Sequence, residues 1–171
     1  MIELNRSFDY DLIRRIMTDR AVYSDISDDG CPAAENFQPV ESDALWYVIA
    51  SDRRPDQEPI VLGLWLLVPQ NTVCWEIHTV LLPHAWGPLG REAARAMAQW
   101  IWSETPCKRL ITNVPEPNRL ALHFAREAGM VEYGLNPASY LKHGKLFAQH
   151  CLGLSNPEVV CPQQQQLSPQ P

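Results

Sequence analysis

Residues 74–90 read Cys74-Trp75-Glu76-Ile77-His78-Thr79-Val80-Leu81-Leu82-Pro83-His84-Ala85-Trp86-Gly87-Pro88-Leu89-Gly90. The first half is rich in β-branched and aromatic residues and is stopped by Pro83, so Val73 to Leu82 predicts a strand. The second half is a glycine loop that feeds a helical pattern from Leu89 to about Glu104. That pattern sets Leu89, Ala93, Met97, Trp100 and Ile101 on one face and Arg91, Glu92, Arg95 and Gln99 on the other. Pro88 suits the first helical position, where its missing N–H does no harm, and Pro106 ends the helix. A strand that turns through a glycine loop into a helix points to an α/β domain.

The elements on either side extend this reading. Before the stretch, residues 1–7 predict a strand. Residues 9–20 predict a helix with Tyr10, Ile13, Ile16 and Met17 on one face, capped by Ser7 or Asp9. Ser24 to Pro39 reads as a loop with Asp25, Asp28, Asp29 and Gly30. Ala44 to Ala50 and Ile60 to Val68 predict two strands that join Val73–Leu82 in an antiparallel meander, because their connections are too short for crossovers. After the stretch come a strand over Arg109–Val114, a helix from the Asn118 cap to Ala128 with Gly129 as its stop, and two final strands near Met130–Tyr133 and Lys145–Leu152. The order is β-α, a loop, β-β-β-α-β-α-β-β, an α/β domain with a mixed, mostly antiparallel central sheet flanked by helices. One domain is expected over residues 1–154. The Pro/Gln-rich end, residues 155–171, is expected to be a flexible tail.

Composition narrows the function. The chain has 171 residues and a formal net charge of −6. It lacks a Lys/Arg-rich run, so a nucleic-acid partner is not expected. No apolar stretch reaches the roughly 20 residues of a spanning helix, so no membrane partner is expected either. The first residues lack the pattern of a secretory signal, and a cytoplasmic location is expected. Five cysteines, an odd number with no Cys-x-x-Cys spacing, read as free thiols, and no metal site is expected from them or from the dispersed histidines.

Two features carry chemistry. In a strand alternate residues share a face, so Glu76 and His78 point the same way. A carboxylate and an imidazole on an apolar strand are either partly wet and structural or a pair that accepts a proton near neutrality. The loop over Trp86, Gly87, Leu89, Gly90 and Arg91 opens a helix, whose free N–H groups bind phosphate oxygens.

The order of elements resembles the GNAT superfamily of acyl-CoA-dependent N-acetyltransferases. Leu81-Leu82-Pro83 looks like that family's Val-x-Pro strand end, and the Gly87 loop looks like its pyrophosphate loop. Thr112-Asn113-Val114-Pro115 with Asn118-Arg119-Leu120-Ala121 and Gly129-Met130 is similar to its Asn-x-x-Ala…Gly-Phe helix. The resemblance implies acetyl-CoA as co-substrate and an amine of unknown identity as acceptor. Backbone groups near Val80, Leu81 and Leu82 would pair with the pantetheine arm, and N–H groups from Trp86 to Arg91 would hold the pyrophosphate. Asn118 would contact CoA, and Glu76 or His78 would take the amine's proton.

The sequence departs from the family pattern in two places. Aligned from Pro83, Trp86 stands where Gln or Arg is expected, Leu89 where the first glycine is expected and Arg91 at the second small position, while a shift by one restores Gly90 but puts Glu92 at the last small position. A tyrosine that many members place seven residues after the helix asparagine is Ala125 here, with His123, Tyr133 and Tyr140 as substitutes to test. A narrower resemblance joins Arg6–Ile13, Val68-Pro69-Gln70-Asn71 and Leu82–Gly87 to a small bacteriophage family that includes head-assembly proteins of short-tailed phages. It implies an alternative role as a virion-associated interaction module with a phage structural protein as partner.

Overall fold

The computed structural model describes residues 1–159. Its strands are β1 (Ile2–Ser7), β2 (Trp46–Asp52), β3 (Ile60–Pro69), β4 (Cys74–Leu81), β5 (Arg109–Pro115), β6 (Val131–Lys142) and β7 (Lys145–Ser155). Its helices are α1 (Tyr10–Met17), α2 (Tyr23–Ile26), α3 (Pro88–Glu104) and α4 (Arg119–Glu127). One seven-stranded sheet runs in the order β1-β2-β3-β4-β5-β7-β6. The meander β2–β3–β4 is antiparallel, as its short connections require, and β1 pairs antiparallel with β2 after a long connection through α1 and α2. Only β4 and β5 pair in parallel, with α3 as the crossover between them.

Local chemistry sets the helix ends. Asp9 caps α1 by accepting the Leu12 N–H at 2.9 Å, and Asn118 caps α4 by accepting the Ala121 N–H at 3.0 Å. Gly129, at φ 89°, ends α4. Helix α1 is shorter than expected because the chain turns at Thr18, whose N–H and hydroxyl both bond the Arg14 carbonyl.

Two apolar layers cover the sheet. On one face Trp65, Leu67, Trp75, Ile77 and Leu81 pack under Ala93, Met97 and Ile101 of α3. On the other, Tyr47, Ile49, Leu64 and Val80 pack under Ile13 and Ile16 of α1 and under Val22. The odd residues of β4 therefore face α3, and the even ones, Glu76 and His78 among them, face α1 and α2. Trp46, Trp75 and Trp100 meet edge to face in the α3 layer.

At the C-terminal end β7 runs through Ser155. Asn156 is buried, and its N–H bonds the Lys108 carbonyl. The folded chain thus continues past the Ser155 boundary expected for the tail; the rest of that expected tail, from residue 160, lies outside the described residues. No helix among the described residues is long and apolar enough to cross a membrane.

Candidate active site

The site begins where two strands part. β4 and β5 pair only at Cys74–Arg109, Trp75–Leu110 and Glu76–Ile111. Beyond Glu76 the partner of β4 is lost, while β5 stays paired with β7 as far as Pro115. The result is a wedge that widens into a cleft of about 820 Å³ passing through the sheet. One end lies between α3 and α4, and the other lies beneath the 25–28 segment and Tyr140 of β6. This volume falls in the ordinary range of ligand pockets.

The β3 ladder decides which backbone groups of β4 face the wedge. The Leu82 N–H donates to the Leu62 carbonyl at 2.9 Å, and the Val80 carbonyl lies against Gly63 of β3. Gly63 can sit there only because it has no side chain, since a Cβ would lie 2.2 Å from that oxygen. Val80 and Leu82 thus turn their polar backbone groups toward β3, contrary to the sequence expectation. By the alternation of an antiparallel ladder, Thr79 and Leu81 turn theirs into the wedge. The Leu81 carbonyl is already taken by the Trp86 indole N–H at 2.9 Å. Thr79 was not among the expected residues. Finding it requires knowing which edge of β4 is paired at each position.

The loop into α3 also differs in detail. Gly87 is the helix cap at φ 81°, a conformation that favours glycine. The Trp86 N–H bonds the Pro83 carbonyl at 3.2 Å, and the Arg91 N–H bonds the Gly87 carbonyl at 3.1 Å. Neither backbone N–H is therefore free to hold a phosphate, and Pro88 has none. Among the described residues no acceptor meets the N–H groups of Gly87, Leu89 and Gly90, which lie at the N-terminal end of the helix, where open N–H groups favour negative charge. The Arg91 guanidinium stands beside them, 3.2 Å from Glu127, which also lies 3.4 Å from His123. Gly90 has a packing role as well. It is buried against the Ala85 carbonyl, where a Cβ would fall 2.7 Å from the oxygen.

Glu76 and His78 do share a face and line the cleft. The carboxylate is held by two amides that the sequence reading did not single out. Asn113 Nδ2 donates to Oε1 at 3.1 Å and Gln70 Nε2 to Oε2 at 3.2 Å. His78 Nε2 lies 3.8 Å from Glu76 Oε1. The imidazole side chain keeps 47% of its surface open, while the cleft walls withdraw much of its water. That desolvation pushes its pKa below the usual 6.5, and the Glu76 charge pulls it part of the way back. A neutral imidazole at pH 7 is competent to accept a proton.

The remaining expected residues have other partners. Asn118 is committed at both ends of its amide, since its Oδ1 caps α4 and its Nδ2 donates to the Asp25 carbonyl at 3.2 Å. Ala125 lies on the inner face of α4, buried with Val114, Leu122 and Leu152. Of its three possible substitutes, Tyr140 lines the cleft but donates its hydroxyl to the Ser27 carbonyl at 2.7 Å. His123 faces Glu127. Tyr133 lies outside the cleft lining, with Arg109 over its ring. Asp25 and Asp28 also line the cleft, beside Glu76 and His78.

With this geometry in place, the profile of the acetyltransferase (GNAT) domain matches residues 6–131. The chain belongs to this family. No curated protein matches it in sequence. Among solved structures, a chimera of the spermidine N-acetyltransferase SpeG from Vibrio cholerae and hSSAT superposes with a TM-score of 0.71 at 15% identity, covering 90% of this chain and 95% of that one. The spermidine N-acetyltransferase from Vibrio cholerae in complex with CoA and spermine gives a TM-score of 0.64 at 16% identity, covering 90% and 95%. At such identities the likeness is one of fold. It bears out the GNAT fold expected from the sequence.

Proposed function

We propose that this protein transfers an acetyl group from acetyl-CoA to a primary amine that carries positive charge. The observation that carries the reading is the wedge between β4 and β5. It joins a helix N-terminus with three open N–H groups to an imidazole–carboxylate pair through one cleft.

The residues present fit a CoA ester. The N–H groups of Gly87, Leu89 and Gly90 suit a pyrophosphate, with Arg91 supplying a cation. The open groups of Thr79 and the Leu81 N–H suit the amides of a pantetheine arm, which would pair with the free edge of β4 as a strand does. When bound, acetyl-CoA supplies the acetyl group as a thioester.

Transfer forms an N–C bond and breaks a C–S bond, so an ammonium acceptor must first lose a proton. An unperturbed alkylammonium, with pKa about 10.4, is almost wholly protonated at neutral pH. His78 accepts that proton, and Glu76, fixed by Asn113 and Gln70, offsets the charge the imidazole gains. The cleft-lining Tyr140 hydroxyl is committed to the Ser27 carbonyl, so it is not placed as a donor to the departing thiolate. A thiol pKa of about 8.5 makes that group a fair leaving group without one.

Asp25, Asp28 and Glu76 give the acceptor end of the cleft an acidic lining, which favours a cationic amine over an anionic or apolar one. The structural neighbour in complex with CoA and spermine supports a polyamine as the first substrate to try. The test is release of CoA thiol from acetyl-CoA in the presence of spermidine, spermine, or a lysine-containing peptide. Turnover with a polyamine supports the reading, whereas no thiol release above the amine-free rate with any of them removes it. The phage head-assembly alternative rests on the short sequence resemblances alone, and no feature of the site favours it.

A further inference from the structure

The acceptor end of the cleft is crossed by residues 24–29, the last turn of α2 and the three residues after it. No side chain between Val22 and Pro39 is fully buried, and Ile26, half-buried at the edge of the α1 layer, is the one apolar side chain of residues 24–29. Hydrogen bonds to two separate parts of the fold hold the rest. On one bank, Asn118 at the start of α4 donates to the Asp25 carbonyl. On the other bank is the tip of the β6–β7 hairpin. Tyr140 donates to the Ser27 carbonyl at 2.7 Å, and Lys142 Nζ bonds the carbonyls of Ser24 and Ser27.

The densest tie is Asp29. Its N–H bonds the Leu141 carbonyl at 3.1 Å. Its Oδ1 accepts the His143 N–H and its Oδ2 accepts the Gly144 N–H, each at 2.7 Å. The hairpin turn makes this possible. His143 and Gly144 both have positive φ, 51° and 68°, the two-residue turn that aims successive N–H groups outward. These two N–H groups hold the Asp29 carboxyl below the ordinary carboxylate range. The segment tied in this way is the one that presents Asp25 and Asp28 to the cleft.

We infer that Asp29 is a positioning residue for the amine subsite, fastening the 24–29 strap to the hairpin turn so that Asp25 and Asp28 stay over the acceptor end of the cleft. The inference rests on the acetyltransferase reading for its kinetic consequence but not for the fastening itself.

The test uses Asp29→Ala and Asp29→Asn in the full chain, with acetyl-CoA and spermidine as probe substrates and amide hydrogen exchange as a second readout. Asp29→Ala is expected to raise the KM for spermidine by about tenfold, the scale of losing a charge-assisted hydrogen bond at the subsite's anchor. The KM for acetyl-CoA and kcat should change by less than about twofold, because the strap's hydrogen bonds run to Asn118 and the β6–β7 hairpin and not to α3 or the Glu76–His78 pair. Asp29→Asn keeps one acceptor oxygen and should fall between the two. In both variants, peptides over residues 24–29 and 141–145 should exchange faster, while those over β3 and β4 stay protected.

Unchanged exchange at 24–29 and 141–145 would overturn the inference, as would equal rises in both KM values. Should wild-type protein leave spermidine unmodified, that result counts against the substrate reading. The exchange pattern then decides the fastening by itself.

Discussion

Replacing Gly90 by alanine tests the packing at the mouth of the CoA end. A Cβ there would lie 2.7 Å from the Ala85 carbonyl oxygen and 3.1 Å from Leu81 Cδ1. The carbonyl belongs to the short 3₁₀ turn Pro83–Ala85, whose Ala85 is itself buried, so it cannot swing aside. Reaching ordinary contact at 3.4 Å requires a shift of about 0.7 Å between the first turn of α3 and that turn. Overpacking of this kind costs about 1–3 kcal/mol. The better helix propensity of alanine returns up to about 1 kcal/mol. A net loss of about 1–2 kcal/mol, at about 2–4 °C each for a chain of this size, lowers the melting temperature by about 2–8 °C. The assay is thermal unfolding followed by circular dichroism, with Gly134→Ala as control, since nothing lies within 4 Å of a Cβ at Gly134. The control should melt with the wild type. A Gly90→Ala protein that melts with the wild type but loses acetyl-CoA binding would refute the packing argument and assign Gly90 to ligand approach alone.

Four further outcomes are expected. The acid limb of the kcat/KM profile should have its midpoint below 6.5, because desolvation lowers the His78 pKa and the neutral form gains as pH rises through it; Glu76→Gln should move the limb lower still, since the Glu76 charge raises that pKa. His78→Gln should lower kcat by about 10²–10⁴-fold in a steady-state assay, and an unchanged kcat removes His78 as the proton acceptor. Trp86→Phe strips the Leu81 carbonyl of its indole donor and loosens the loop, a loss of about 0.5–1.5 kcal/mol, or about two- to tenfold in the acetyl-CoA Kd by calorimetry. Cys107 should resist iodoacetamide in the native protein as judged by mass mapping, because burial pushes its thiol up to about 11.

How much of this the sequence disclosed depended on range. Local signals sufficed for the Asn118 cap, Pro88 at the head of α3, the Gly129 stop and the antiparallel meander, and narrowed the α1 cap to Ser7 or Asp9. Each of these rests on a few neighbouring residues. The shared face of Glu76 and His78 followed from strand alternation alone. The splay of β4 from β5 did not, because only tertiary pairing shows that the ladder stops after Glu76 and Ile111. Of the expected Val80, Leu81 and Leu82, Leu81 turns its backbone groups into the wedge, beside Thr79, and the other two turn toward β3. Alternation gives two sets, and the position of β3 decides between them. The Asn113 and Gln70 supports of Glu76, and the tie from Asp29 to a turn more than 100 residues away, are contacts between distant segments with no local pattern. Gly90 looked like a phosphate-loop glycine, and its sequence neighbours gave no hint that Ala85 would press against it.

If the wedge between β4 and β5 holds acetyl-CoA, as we propose, calorimetric titration of the purified protein with acetyl-CoA, and with CoA as the second ligand, should show one site per chain with a Kd on the order of micromolar for each, about −8 kcal/mol. No heat of binding at millimolar ligand would rule the wedge out as the CoA site.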